Sequence, residues 1–149
     1  MKIINTFKAL SDETRLRIFN LLLNHELNVN EIVSVLEMGQ SRISRHLKIL
    51  ADSGLVKIRR DGLWAFYSAS ENDDLKSLEN ICREAVKDEL LCLDDLKNID
   101  KFILERGERR REFFNSIAGE ISEIKKDILG DIPLNDIIAG LINGIWGYG

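Results

Sequence analysis

The sequence is short of chain breakers, of cysteine and of histidine. It holds one proline, Pro133. With so few breakers, long helices are expected. Two cysteines, Cys82 and Cys92, are too few for the disulfide framework of a small secreted domain. The chain also lacks a run of roughly 18 apolar residues, the length that crosses a bilayer. Its start, Met1-Lys2-Ile3-Ile4-Asn5, lacks the apolar stretch and small-residue cleavage site of a secretory signal. The cytoplasm is therefore the expected compartment. Two histidines, His25 and His46, leave little for a metal site.

Net positive charge is lacking too: 21 Lys/Arg stand against 25 Asp/Glu, a net of -4. The total hides an asymmetry. Residues 1–68 carry ten basic against seven acidic residues, and residues 69–149 carry eleven against eighteen. A phosphate-binding protein needs a basic face and not a basic total, so nucleic acid stays open as a partner. The length, 149 residues, suits one domain with its own core plus an extension.

Periodicity places a short first helix over 4–10. Ser11 reads as the N-cap of a second helix, with Asp12 and Glu13 at its positive end and Leu16, Phe19, Leu22 and Leu23 facing a core. Asn28 and Glu31 have the spacing of a capping box opening a third helix, with Ile32, Val35 and Leu36 inward. Gly39 is expected to end that helix in a tight turn. A fourth follows over 40–53, with Ile43, Leu47 and Leu50 inward and Gly54 as a left-handed stop. Beyond Gly54 the period becomes two. Residues 55–60 and 63–68 read as strands joined by an Asp61-Gly62 turn of type I′. Trp64 and Phe66 fall on one hairpin face and Tyr67 on the other. A long helix follows from Asn72 to about Arg106, and another over 108–129. Gly130-Asp131-Ile132-Pro133 breaks it before an apolar tail from Leu134.

The expected architecture is mainly α: a winged helix-turn-helix with a two-stranded β-hairpin wing, followed by long C-terminal helices. The expected domains are 1–100, for DNA binding and dimerisation, and 101–149, a helical extension with a glycine-rich tail. On the fourth helix, Gln40, Ser41, Arg42, Ser44, Arg45 and Lys48 fall away from the apolar stripe, with His46 at its flank. Such a short, polar, basic face suits a major groove about 12 Å wide. Arginine can bond guanine O6 and N7 together, serine can meet base or phosphate, and Lys48 suits a phosphate. Arg59 and Arg60 beside the hairpin turn suit the backbone or an adjacent minor groove. Cys82 and Cys92, ten residues apart on one helix, would point about 80° apart and lie about 15 Å apart in height. One helix cannot bring both to one ion. They read as small buried apolar residues, or as a thiol pair formed across a dimer.

Three stretches resemble the ArsR/SmtB family of bacterial repressors: Phe7 to Ile18 (FKALSDETRLRI), Gln40 to Leu50 (QSRISRHLKIL), and Gly54-Leu55-Val56 with Arg59-Arg60-Asp61-Gly62. The resemblance covers about residues 1–100. It implies a homodimer built on the first and last helices of the domain, double-stranded DNA as partner, and repression relieved by a small-molecule or thiol-reactive inducer. The family's arsenic and cadmium sensors carry Cys-Val-Cys where this chain has Asn28-Val29-Asn30. Its zinc and cobalt sensors use a histidine-bearing last helix, and this chain has no histidine there. No metal and no cofactor are therefore expected. Residues Arg109 to Ala118 resemble the stretch that opens a fused S-adenosylmethionine-dependent methyltransferase. A cofactor loop is missing, since the glycines of 144–149 precede no helix, so no enzymatic activity is expected. Phe113, Phe114 and Trp146 are candidate walls of a metabolite pocket. The main alternative is a winged helix that binds protein instead of DNA.

Overall fold

The computed structural model describes residues 1–129 and 137–141. The break expected at 130–133 lies outside them, as do Trp146 and the glycines of 144–149; residues 137–141 are helical. The chain forms two compact units, Met1–Glu105 and Arg106–Gly149. No helix among the described residues is long and apolar enough to cross a membrane.

The first unit opens with α1 (Lys2–Leu10) and α2 (Glu13–Asn24). Ser11 does not cap α2, contrary to the sequence expectation. Its hydroxyl donates back to the Lys8 carbonyl at 2.8 Å and closes α1. Asp12 is the N-cap, its carboxylate accepting from the Arg15 amide at 3.0 Å. The two linker residues thus divide the work, and the carboxylate takes the positive helix end, where its charge is favoured.

A two-residue strand, β1 (Leu27–Asn28), precedes α3 (Val29–Leu36). The capping box forms: Asn28 accepts from the Glu31 amide at 2.9 Å, and Glu31 accepts from the Asn28 amide at 3.0 Å. The turn after α3 differs from expectation. Its left-handed residue is Glu37, with φ 52°, while Gly39 has φ -61° and serves as N-cap of α4 (Gln40–Asp52). The apolar stripes of α3 and α4 are buried together: Ile32, Ile43, Leu47 and Leu50 are fully enclosed with Ile18, Phe19 and Leu21 of α2. That core fixes which face of α4 remains outside. Gly54 takes the expected left-handed conformation, φ 80°.

The hairpin is β2 (Val56–Asp61) and β3 (Trp64–Ala69), one residue later than expected. Asp61 pairs with Trp64, so the loop is Gly62-Leu63 and not Asp61-Gly62. Only Gly62 has positive φ, 59°. A type II′ turn requires glycine there and leaves the second position unrestricted, whereas type I′ would strain Leu63. β1 adds a third strand through Leu27↔Tyr67 and Asn28↔Phe66, giving the sheet order β1-β3-β2. Tyr67 and Ala69 pack on the core, and Trp64 is exposed.

The long helix expected from Asn72 is broken. α5 (Asp73–Val86) ends, and α6 (Leu90–Leu129) starts after a short turn. Burial gives the reason. Leu78, Cys82 and Val86 form one stripe, and Cys92, Asp95 and Ile99 form another. From Val86 to Cys92 is six residues, about 120° short of whole turns, so one straight helix cannot bury both stripes. Conversely, no break falls at Gly107, and α6 runs through it. In the second unit, Phe113, Phe114, Ile121, Ile124 and Ile128 along α6 are exposed.

Candidate DNA interface

The outer face of α4 is built as the sequence implies. Gln40, Ser41, Arg42, Ser44, Arg45 and Lys48 are all exposed, opposite the enclosed Ile43, Leu47 and Leu50. Arg42 and Arg45 have no ion-pair partner among the described residues. Lys48 differs, pairing one turn on with Asp52 at 2.8 Å. Both groups are well exposed, so the pair is weak and can open to a phosphate.

His46 does not share that face. Its side chain is 12% exposed and turns toward the start of α2. The Nδ1 atom lies 3.5 Å from the Arg15 guanidinium and 4.0 Å from the Asp12 carboxylate. Burial lowers its pKa below 6.5, against the opposing pull of Asp12. A neutral ring can accept from Arg15 at Nδ1. Arg15 also donates to the Lys8 and Ala9 carbonyls, at the free C-terminal end of α1. One guanidinium therefore joins α1, α2 and α4. Sequence patterning missed this role for Arg15, because nothing in helical periodicity marks a residue that bonds across three elements.

The two wing arginines are unlike each other. Arg59 forms a forked ion pair with Glu26, with contacts of 3.1 and 2.7 Å, and lies 4.9 Å above the Phe66 ring. Glu26 raises its pKa further. Its geometry is that of a brace between β2 and the α2–β1 turn. Arg60 is exposed, points to the opposite sheet face by strand alternation, and has no ion-pair partner among the described residues. Glu26 was not anticipated; its only signal is its place beside a strand too short for periodicity to reveal.

Two exposed apolar groups lie elsewhere on the first unit. α1 presents Ile3, Ile4 and Phe7, and the start of α6 presents Leu90, Leu91 and Leu93. Cys82 and Cys92 sit on separate helices, α5 and α6, and not on one as expected. Both are buried, and burial pushes both thiols upward in pKa. The thiolate is the reactive form, so both have the surroundings of inert cysteine. No cluster of three or more His, Cys, Asp or Glu that could hold a metal occurs among the described residues.

A family model described as bacterial regulatory protein, arsR family, matches residues 12–57. The transcriptional activator HlyU of Vibrio cholerae is 38% identical over 82 residues, 55% of this chain and 76% of that protein. The arsenical resistance operon repressor of Escherichia coli is 46% identical over 68 residues, 45% of this chain and 58% of that one. Among solved structures, HlyU of V. cholerae aligns with a TM-score of 0.52 at 36% identity, covering 56% of this chain and 90% of that chain. The homodimeric winged helix-turn-helix domain of Mb0332 from Mycobacterium bovis aligns with a TM-score of 0.52 at 28% identity, covering 60% and 82%.

Proposed function

Because the chain belongs to the arsR family of bacterial regulatory proteins and is a DNA-binding transcriptional regulator, we propose that it is a cytoplasmic repressor that binds its operator as a homodimer. One observation carries the site assignment: Arg42 and Arg45 stand exposed and unpaired among the described residues, with Ser41 and Ser44, on the helix face opposite the core. α4 is the element for the major groove, with Gln40 at its entry. Lys48 and Arg60 serve phosphates or the adjacent minor groove. Arg59 and His46 act by holding the wing and α4 in place, not by touching bases.

The second copy covers the apolar residues of α1 and of the start of α6. Large apolar groups concentrated on two helices of a small domain mark an association surface. The dimer would set two α4 helices about 34 Å apart, one turn of DNA. Relatives include both an activator and a repressor. Repression is the simpler consequence, because a dimer spanning a promoter excludes polymerase. The extension beyond Gly107 is the place for an inducer. Its Arg109 to Ala118 stretch resembles the opening of an S-adenosylmethionine-dependent methyltransferase, so metabolites of that cycle are the first to try. No catalysis is assigned to this chain.

The test is binding to duplexes selected from a random pool, measured across salt. Affinity falls steeply with salt if several phosphates are neutralised. Arg45→Ala costs about 1–3 kcal/mol on the selected sequence and relaxes preference at one base pair. Absence of any selected duplex would favour the protein-binding alternative.

A further inference from the structure

The tip of the wing is apolar, which a hairpin built only to meet phosphates does not need. Leu63 at the apex is 103% exposed, and Trp64 beside it is 54% exposed. Neither is numbered among the residues packed on the core. Leaving such side chains largely in water forgoes the stabilisation that burial gives large apolar groups. The tip is also held firmly. Six residue pairs join β2 to β3, from Val56↔Ala69 to Asp61↔Trp64. The Arg59–Glu26 fork and the Arg59–Phe66 stack stand on the same sheet face as Trp64, two residues from the loop. Arg60, exposed on the other face, supplies positive charge next to the tip.

We propose that Leu63 and Trp64 form an apolar wedge that enters the DNA minor groove and opens a base step, bending the operator. This rests on the DNA-binding reading of α4. β2 begins only four residues after α4 ends. With α4 in the major groove, the hairpin tip is delivered to the neighbouring minor groove. Apolar side chains inserted between base steps unstack them and kink the duplex. Pyrimidine–purine steps yield most readily, so the wedge adds sequence preference at a position that α4 does not touch. Arg60 beside the wedge suits the negative potential of that groove. The pairing and the brace matter because a soft tip would deflect before the stack opened.

The experiment uses the full chain and duplexes selected for binding, carrying fluorophores at both ends. Trp146→Phe leaves Trp64 as the sole tryptophan. In that background, saturating DNA quenches Trp64 emission, as expected for a ring stacked on bases. The duplex ends approach one another in the complex. Leu63→Ser with Trp64→Ser weakens binding about tenfold to a hundredfold, the net of lost burial and of stacking no longer broken. The same variant returns the duplex ends to their spacing in free DNA. Both side chains are exposed, so the fold is retained, which circular dichroism checks. An unchanged bend in the double serine variant, or Trp64 emission indifferent to saturating DNA, overturns the wedge while leaving DNA binding by α4 intact. A change of oligomeric state in the DNA-free serine variant also overturns it, since the tip would then be a contact between copies. If the unaltered chain selects no duplex, the DNA reading fails and the wedge fails with it.

Discussion

The bond between Arg17 and Asp95 offers the sharpest test of how the first unit is held together. Arg17 on α2 donates through Nε and Nη2 to the two carboxylate oxygens of Asp95 on α6, at 2.8 and 2.7 Å. The side chains are 14% and 4% exposed. Asp95 raises the Arg17 pKa, chiefly through the hydrogen bond, so the guanidinium keeps its charge in the fold. A forked pair that is this dry gains little over a well-packed apolar pair, because desolvating two ions offsets most of their attraction. Removing only one partner is different, since it strands the other ion. Asp95→Asn keeps the shape and removes the charge. The expected loss is about 2–4 kcal/mol, toward the low end for a buried pair because Arg17 retains some contact with water. Arg17→Met with Asp95→Leu should fall within about 1 kcal/mol of the unaltered protein. Asp95→Leu strands Arg17 as Asp95→Asn does and should cost at least as much, so the cycle of Arg17→Met and Asp95→Leu requires a coupling energy of at least about 1 kcal/mol. Urea unfolding followed by far-UV circular dichroism measures the unaltered protein, Asp95→Asn, the singles Arg17→Met and Asp95→Leu, and the double variant, at one chain concentration because association adds to apparent stability. A loss under about 0.5 kcal/mol for Asp95→Asn, or a double variant as weak as the sum of its singles, would refute the argument.

Three further outcomes follow from the same structure. Acid should weaken the fold in two stages of one sign. His46 has a folded pKa below 6.5, so its contribution is present above pH 6.5 and is lost as pH falls through the folded value; Asp12, held below 3.8 mainly by the Arg15 amide, contributes above pH 3.8 and loses that lower down. Stability against pH for His46→Asn should lack the upper stage and keep the lower. Glu37→Gly should raise stability by about 1 kcal/mol in urea unfolding, because Glu37 holds φ 52° where a side chain is strained; no gain would mean that the turn is stabilised by something beyond its backbone. Cys82→Ala and Cys92→Ala should leave DNA release by arsenite or oxidant unchanged in a gel-shift titration, and loss of a response present in the unaltered chain would restore thiol sensing.

What the sequence made legible was whatever depends on one element at a time. The inward stripe Ile43, Leu47, Leu50 follows from spacing, and so does the outward set on α4. The Asn28–Glu31 capping box is a four-residue pattern with its own mechanism, and it forms. What stayed hidden was relational. His46 sits at the flank of a helical wheel and could have gone either way. Its direction is decided by Arg15 and Asp12, thirty or more residues earlier. Arg59 and Arg60 are equivalent as letters, yet Glu26 takes one and leaves the other. The break before α6 contains neither proline nor glycine. Only the phase slip between Val86 and Cys92 reveals it, and the apolar residues Leu90, Leu91 and Leu93 mask that slip by being exposed.

The hairpin shows how much the placement of a two-residue turn decides. Asp61-Gly62 and Gly62-Leu63 are both acceptable two-residue turns, one as type I′ and one as type II′. The first would put an acidic residue at the tip and Leu63 within a strand. The second puts Leu63 at the apex and makes Asp61 the partner of Trp64. Moving a two-residue loop one position along the chain changes every cross-strand partner by two residues, so each side chain keeps its face. Here Arg59 then lies across from Phe66, where it can stack, and Arg60 lies across from Ala65, which offers it nothing. The position of the turn thus decides two things: which aromatic ring Arg59 meets, and that Leu63 stands at the apex. The apolar tip therefore follows from where the turn falls, and the turn falls where glycine alone must bear the positive φ; the difference between Arg59 and Arg60 follows from strand alternation, which turns only Arg59 toward Glu26.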